Sequence, residues 1–171
     1  MSIKENLHRI KSSLPNDVTL VAVSKTKPVT DLIEAYEAGQ RIFGENYVQE
    51  LVDKYEQLPK DIQWHFIGHL QSNKVKYIAS FVQLIHGVDS IKLLQEINKQ
   101  AAKHNRIIAC LLQLNIAEED TKFGMDIEVL NTVLEASESM KNVSVIGLMG
   151  MSTFTDDKQQ IKKEFEMKES A

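Results

Sequence analysis

Strand-like and helix-like segments alternate along nearly the whole chain, and that alternation restricts the fold to a parallel sheet joined by helical crossovers. Val18–Ser24 is short, β-branched and apolar at successive positions, the pattern of a strand covered on both faces. Val29–Ala38 follows with helical spacing and stops at Gly39, Arg41–Gly44 predicts a short strand, and Tyr47–Leu58 predicts a helix ended by Pro59. Four further strands are expected over Ile62–Ile67, Phe81–Gly87, Ile107–Ile116 and Val143–Leu148, with helices over Asn73–Ser80, Ile91–His104 and Ile127–Met140. Before them, Ile3, Leu7, Ile10 and Leu14 recur at helical spacing and predict an amphipathic helix ending at Pro15. Val48, Leu51, Val52 and Tyr55 share one helical face, as do Ile91, Leu94, Ile97 and Ala101, so each helix offers one stripe to the sheet.

A closed barrel and an open doubly wound sheet both satisfy this pattern, and the polar residues favour the barrel. Lys25 follows the first strand, Glu45 and Asn46 the second, and His65 and Gly68 lie in and after the third. Asp89 follows the fourth strand, Asn115 the fifth, and Met151 and Ser152 the sixth. Polar groups gathered at C-terminal strand ends are what a (β/α) barrel uses to assemble a site. The expected fold is therefore α/β, a parallel (β/α) TIM-type barrel. Eight strands normally need about 200 residues or more, whereas here Asp157–Ala171 only begins an amphipathic helix with Ile161 and Phe165. The barrel is expected to be incomplete, with about six of eight strands, and residues 1–171 to form a single domain lacking the last two β/α units.

Composition excludes several classes of function. A formal net charge of −4 supplies no broad positive field for a phosphate backbone, so no nucleic-acid partner is expected. No apolar stretch approaches the roughly 18 residues of a membrane span, and no signal-peptide core precedes the first helix. The single Cys110 sits in the apolar run Ile107–Leu112, where it reads as core and permits no disulfide framework. A cytoplasmic, soluble protein is expected.

Several residues could carry chemistry. Lys25 stands between a buried run and the turn Thr26-Lys27-Pro28; at the inner rim of a barrel, desolvation would lower its pKa and yield an amine that attacks an aldehyde. It could equally snorkel outward or pair with a carboxylate. Asn46 offers an amide donor and acceptor toward the rim, or caps the following helix. Trp64 and Phe66 alternate with His65, so the aromatics read as packing and His65 as the residue facing the barrel interior, catalytic or simply satisfied in the core. His65 and His69 are four apart across a strand-to-loop boundary and do not share a helical face, so no metal site is expected. The loop Asp120-Thr121-Lys122-Phe123-Gly124 reads as a solvated turn, and Gly147–Thr153 as a tight pocket wall or dense packing.

Taken together, Ala22–Pro28, Phe43–Glu50, Trp64–Gly68 with Gln71–Lys74, and Gly147-Leu148-Met149 resemble the pyridoxal-phosphate homeostasis protein family. Four ordered motifs span nearly the whole chain. The resemblance implies the barrel of the alanine racemase N-terminal domain, with Lys25 holding pyridoxal 5'-phosphate as a Schiff base and Asn46 and His65 near the cofactor ring. It implies a non-catalytic carrier acting in vitamin B6 balance that passes the cofactor to amino acids or to apo pyridoxal-phosphate enzymes; a monomer is expected. A pyridoxal-phosphate amino-acid racemase is the enzyme alternative; it needs a second base on the opposite face of the ring. Family members continue into a further strand and a final segment that supply phosphate contacts and an arginine facing the pyridine nitrogen. Neither segment is found in this sequence, so the phosphate cradle is expected to lie outside it.

Overall fold

A capping box starts the first helix, α1 (Ile3–Ser13): the Ser2 hydroxyl accepts from the Glu5 N–H at 3.1 Å, and Glu5 accepts from the Ser2 N–H at 2.8 Å. Leu7 is its buried contact, and the helix stops before Pro15 as its spacing predicts. The computed structural model describes residues 1–118 and 123–169. After α1 come β1 (Ala22–Val23), α2 (Val29–Glu37), β2 (Ile42–Glu45), α3 (Val48–Gln57), β3 (Gln63–Phe66) and a 3-10 turn (Ser72–Tyr77). The chain continues through β4 (Leu84–Val88), α4 (Ile91–Lys103), β5 (Ile108–Leu114), α5 (Ile127–Ser137), β6 (Val143–Gly150) and α6 (Lys158–Glu169).

Among the described residues the six strands form one parallel sheet in sequential order from β1 to β6. Sequential order with helical returns is the winding of a (β/α) barrel, here with six of its eight strands. The core gathers Phe43, Trp64, Phe66, Ile85, Cys110 and Leu112 from the strands with Leu51, Leu94, Ile97, Ala101, Leu130 and Val133 from the helices. The Phe43 and Trp64 rings lie 5.9 Å apart at 43°, a tilted aromatic pair on adjacent strands. The stripes of α3 and α4 bury as their spacing predicts, and Cys110 is plain core, its thiol pushed up to about 12 by burial. No described helix is long and apolar enough to cross a membrane.

Three local expectations need correction. The first strand is not Val18–Ser24 covered on both faces: only Ala22–Val23 pair as strand, while Val18 is 48% and Val23 54% exposed. Among the described residues β1 is an edge strand with β2 as its one partner, which removes half the cover that its apolar run implied. Asn73–Ser80 is a 3-10 turn rather than an α-helix, because Val75 and Ile78 bury at a spacing of three. The fourth strand begins at Leu84 instead of Phe81, whose ring is drawn off to stack on Tyr55 at 3.8 Å and 6°.

Candidate functional site

Sheet register sets the levels of the site. Val23 pairs with Gly44 and Gly44 with His65, so these three share one row across β1, β2 and β3. Lys25, Asn46 and Ile67 each follow the C-terminal end of their strand, β1, β2 and β3. His65 lies within β3, ahead of these strand ends.

Lys25 belongs to a turn held from both sides. The Ser24 N–H donates to the Gly44 carbonyl at 2.9 Å, and the Lys27 N–H returns to the Ser24 carbonyl at 3.1 Å. Ser24 is buried on the α3 side, its hydroxyl donating to Glu45 Oε1 at 2.6 Å, so Lys25 faces the other way. It is exposed, and among the described residues nothing pairs with its ammonium. Exposure is the outward arrangement that the sequence left open beside an inner-rim one. Pairing with a carboxylate is not its arrangement.

Asn46 does not cap a helix. The residue at the N-cap of α3 is Tyr47, without a side-chain bond, and Asn46 Oδ1 is buried with no partner. A buried amide oxygen left unpaired is costly, so this atom is poised to accept from a ligand donor. Gly68 packs directly on it: a Cβ at Gly68 would lie 2.5 Å from the Asn46 carbonyl oxygen and 2.8 Å from its Cα. Neither backbone can yield cheaply. Gly68→Ala should lower stability by about 1–3 kcal/mol through overpacking; an unchanged urea midpoint would contradict this contact.

His65 is 7% exposed and meets a residue that sequence reasoning missed. Its Nδ1 lies 2.9 Å from Nε2 of His86, with ring centroids 5.0 Å apart. One nitrogen donates and the other accepts, so the pair is satisfied when both rings are neutral. Burial first, and then His86, lowers His65 to about 4, and burial lowers His86 as well. The signal for His86 was a polar residue inside the predicted strand Phe81–Gly87.

A second missed group lies beneath the Lys25 turn. Lys54 of α3 is 4% exposed, and its Nζ donates to the Ser24 carbonyl, Glu45 Oε1 and Glu50 Oε1, each at 2.6 Å. Glu50 Oε1 also accepts from the Thr26 N–H at 2.6 Å. Burial raises the Glu45 carboxyl, while its bonds from Lys54 and Ser24 act against that shift.

Elsewhere on the rim, His69 stacks on Phe123 at 4.2 Å. Asp120, Thr121 and Lys122 of the loop singled out in the sequence lie outside the described residues, and Gly124 holds a φ of +132° that favours glycine. After β6, the N–H and hydroxyl of Thr153 both donate to Glu164 of α6 at 2.7 Å, which lowers that carboxyl. Among the described residues no three His, Cys, Asp or Glu side chains are grouped as metal ligands.

Comparison with known proteins bears on this arrangement. The family model for the alanine racemase N-terminal domain matches residues 1–171. The pyridoxal phosphate homeostasis protein of Aquifex aeolicus is 40% identical over 151 residues, covering 88% of this chain and 66% of that relative. The protein of the same description from Pasteurella multocida is 36% identical over 170 residues, covering 92% of this chain and 73% of the relative. The chain thus spans about two thirds to three quarters of the length of these relatives. Among solved structures, PipY, the COG0325 family member of Synechococcus elongatus PCC7942, with PLP bound, superposes with a TM-score of 0.90 at 34% identity, over 99% of this chain and 79% of PipY.

Proposed function

The chain belongs to the pyridoxal phosphate homeostasis proteins, built on the alanine racemase N-terminal domain, and from that premise we propose that it holds pyridoxal 5'-phosphate covalently at Lys25 as a non-catalytic carrier. The observation that carries this reading is an exposed amine on a braced turn after β1, without a partner among the described residues, with the orphaned Asn46 Oδ1 just after β2. PipY was solved with PLP bound, and its 34% identity over 99% of this chain makes the same ligand the expected one.

The residues present fit such a group. Bound pyridoxal phosphate supplies an aldehyde that a primary amine can capture reversibly, and a polar aromatic ring. Lys25 would provide the amine, its nitrogen replacing the aldehyde oxygen with release of one water, and among the described residues no carboxylate pairs with it. Asn46 provides a buried carboxamide for a polar ring substituent. His65, bound to His86 and held neutral by burial, would add no charge to the site. A carrier needs no more than capture, orientation and release; racemisation needs protons delivered on both ring faces. The carrier role extends to intracellular vitamin B6 balance, with amino acids or apo-enzymes as recipients, and residues 1–171 act as one binding domain.

Titration of the protein with pyridoxal phosphate should develop a saturable long-wavelength absorbance band with one equivalent bound, while L-alanine incubated with the loaded protein keeps its configuration. Absence of a saturable band would remove the binding role. D-alanine formed at ordinary enzyme rates would replace the carrier with a racemase.

A further inference from the structure

The geometry points to Glu50, acting with Lys54, as a positioning residue that fixes the Lys25 backbone for capture of the aldehyde; this rests on the reading of Lys25 as the cofactor lysine. Both peptide groups that flank Lys25 in sequence are gripped by side chains of α3. On one side, the Ser24 carbonyl accepts from Lys54 Nζ at 2.6 Å; on the other, the Thr26 N–H donates to Glu50 Oε1 at 2.6 Å. The two gripping side chains are themselves joined at 2.6 Å, one helical turn apart on α3. The grip therefore closes a loop from Ser24 through Lys54 and Glu50 to Thr26, with Lys25 as the one residue between its ends.

Thr26 shows what this grip opposes. Its φ is 61°, in the left-handed region that β-branched residues avoid. The carboxylate bond is charge-assisted and therefore strong enough to hold an unfavourable backbone conformation. Lys54 has a second role by elimination: its three N–H groups are all engaged, by Ser24, Glu45 and Glu50, so it cannot compete with Lys25 for an aldehyde. The Glu50 side chain is 24% exposed, so it can be replaced without opening the core.

The test uses the full chain, with pyridoxal phosphate and its alcohol analogue pyridoxine 5'-phosphate, which cannot be captured by an amine. Glu50→Ala should slow formation of the absorbance band by about tenfold to a hundredfold, the scale of a misplaced reactive group, while binding of the alcohol changes little. Glu50→Gln, whose amide oxygen can still accept from the Thr26 N–H, should recover most of the rate. Glu50→Leu accepts no hydrogen bond but keeps the helix, and substitutes for Glu50→Ala if that variant melts early. Hydrogen exchange at the Thr26 amide reads the grip without any ligand. Faster exchange in Glu50→Ala with an unchanged capture rate would overturn the inference and leave Lys25 as the cofactor lysine. Equal loss of aldehyde and alcohol binding would also overturn it, as the mark of a merely structural role. Capture in the unmodified chain at a lysine other than Lys25 would remove the underlying reading and this inference together.

Discussion

Lys25→Ala is expected to abolish the saturable absorbance band that pyridoxal phosphate produces with the unmodified protein. Any aldehyde reacts slowly with surface lysines, and this chain carries many, so what must vanish is saturation at one equivalent rather than all reactivity. Lys27 lies two residues away and is also exposed, but it stands beyond the left-handed Thr26, outside the pair of peptide groups held by Lys54 and Glu50. Lys54 is saturated by three acceptors. Lys25→Arg should fail as completely as Lys25→Ala, since a guanidinium keeps the charge but stays protonated and forms no carbon–nitrogen bond with the aldehyde. Apparent affinity for the aldehyde should fall at least about a hundredfold, and a retained saturable band in either variant would contradict the assignment of Lys25.

Acid should destabilise the fold through His65 well before the bulk of the carboxylates titrate. In the folded chain His65 is lowered to about 4, against an ordinary value of 6.5. Between those values the unfolded chain binds a proton that the folded chain refuses, so stability rises with pH across this window and is lost as pH falls through it. A shift of this size corresponds to about 3 kcal/mol. His86, also lowered by burial, acts in the same direction. Glu45 acts in the opposite one: its raised carboxyl favours the folded state most at low pH and loses that contribution as pH rises past 4.5. The urea midpoint of the unmodified protein should therefore fall between pH 6.5 and 4, and His65→Gln should flatten that fall. A profile with the same slope in both proteins would show that His65 is not held neutral.

The sequence was most informative where one periodicity dominated. Leu94, Ile97 and Ala101 form the buried stripe of α4 as their spacing implies; the strand-then-helix alternation leads to a parallel sheet, and the polar strand ends to the sequential order of a barrel. It misled at β1, because an apolar, β-branched run does not say which of its residues will pair, and only Ala22–Val23 do. Lys54 was illegible for a different reason. An acid and a base four apart on a helix, Glu50 and Lys54, ordinarily mark a solvated face, and nothing local reveals that Glu45 and the Ser24 carbonyl wait beneath. Asn46 was ambiguous between cap and ligand contact until its oxygen was found buried and unpaired. His65 was legible as an inward residue, but its partner His86 depends on the register between β3 and β4.

Peptide mapping after borohydride reduction of the pyridoxal-phosphate-loaded chain tests the cofactor role of Lys25 most directly. At one equivalent of cofactor, the reduced pyridoxyl group should be found on the peptide containing Lys25, with Lys27 and Lys54 unmodified. A label spread evenly over the exposed lysines, or concentrated on a residue other than Lys25, would contradict it.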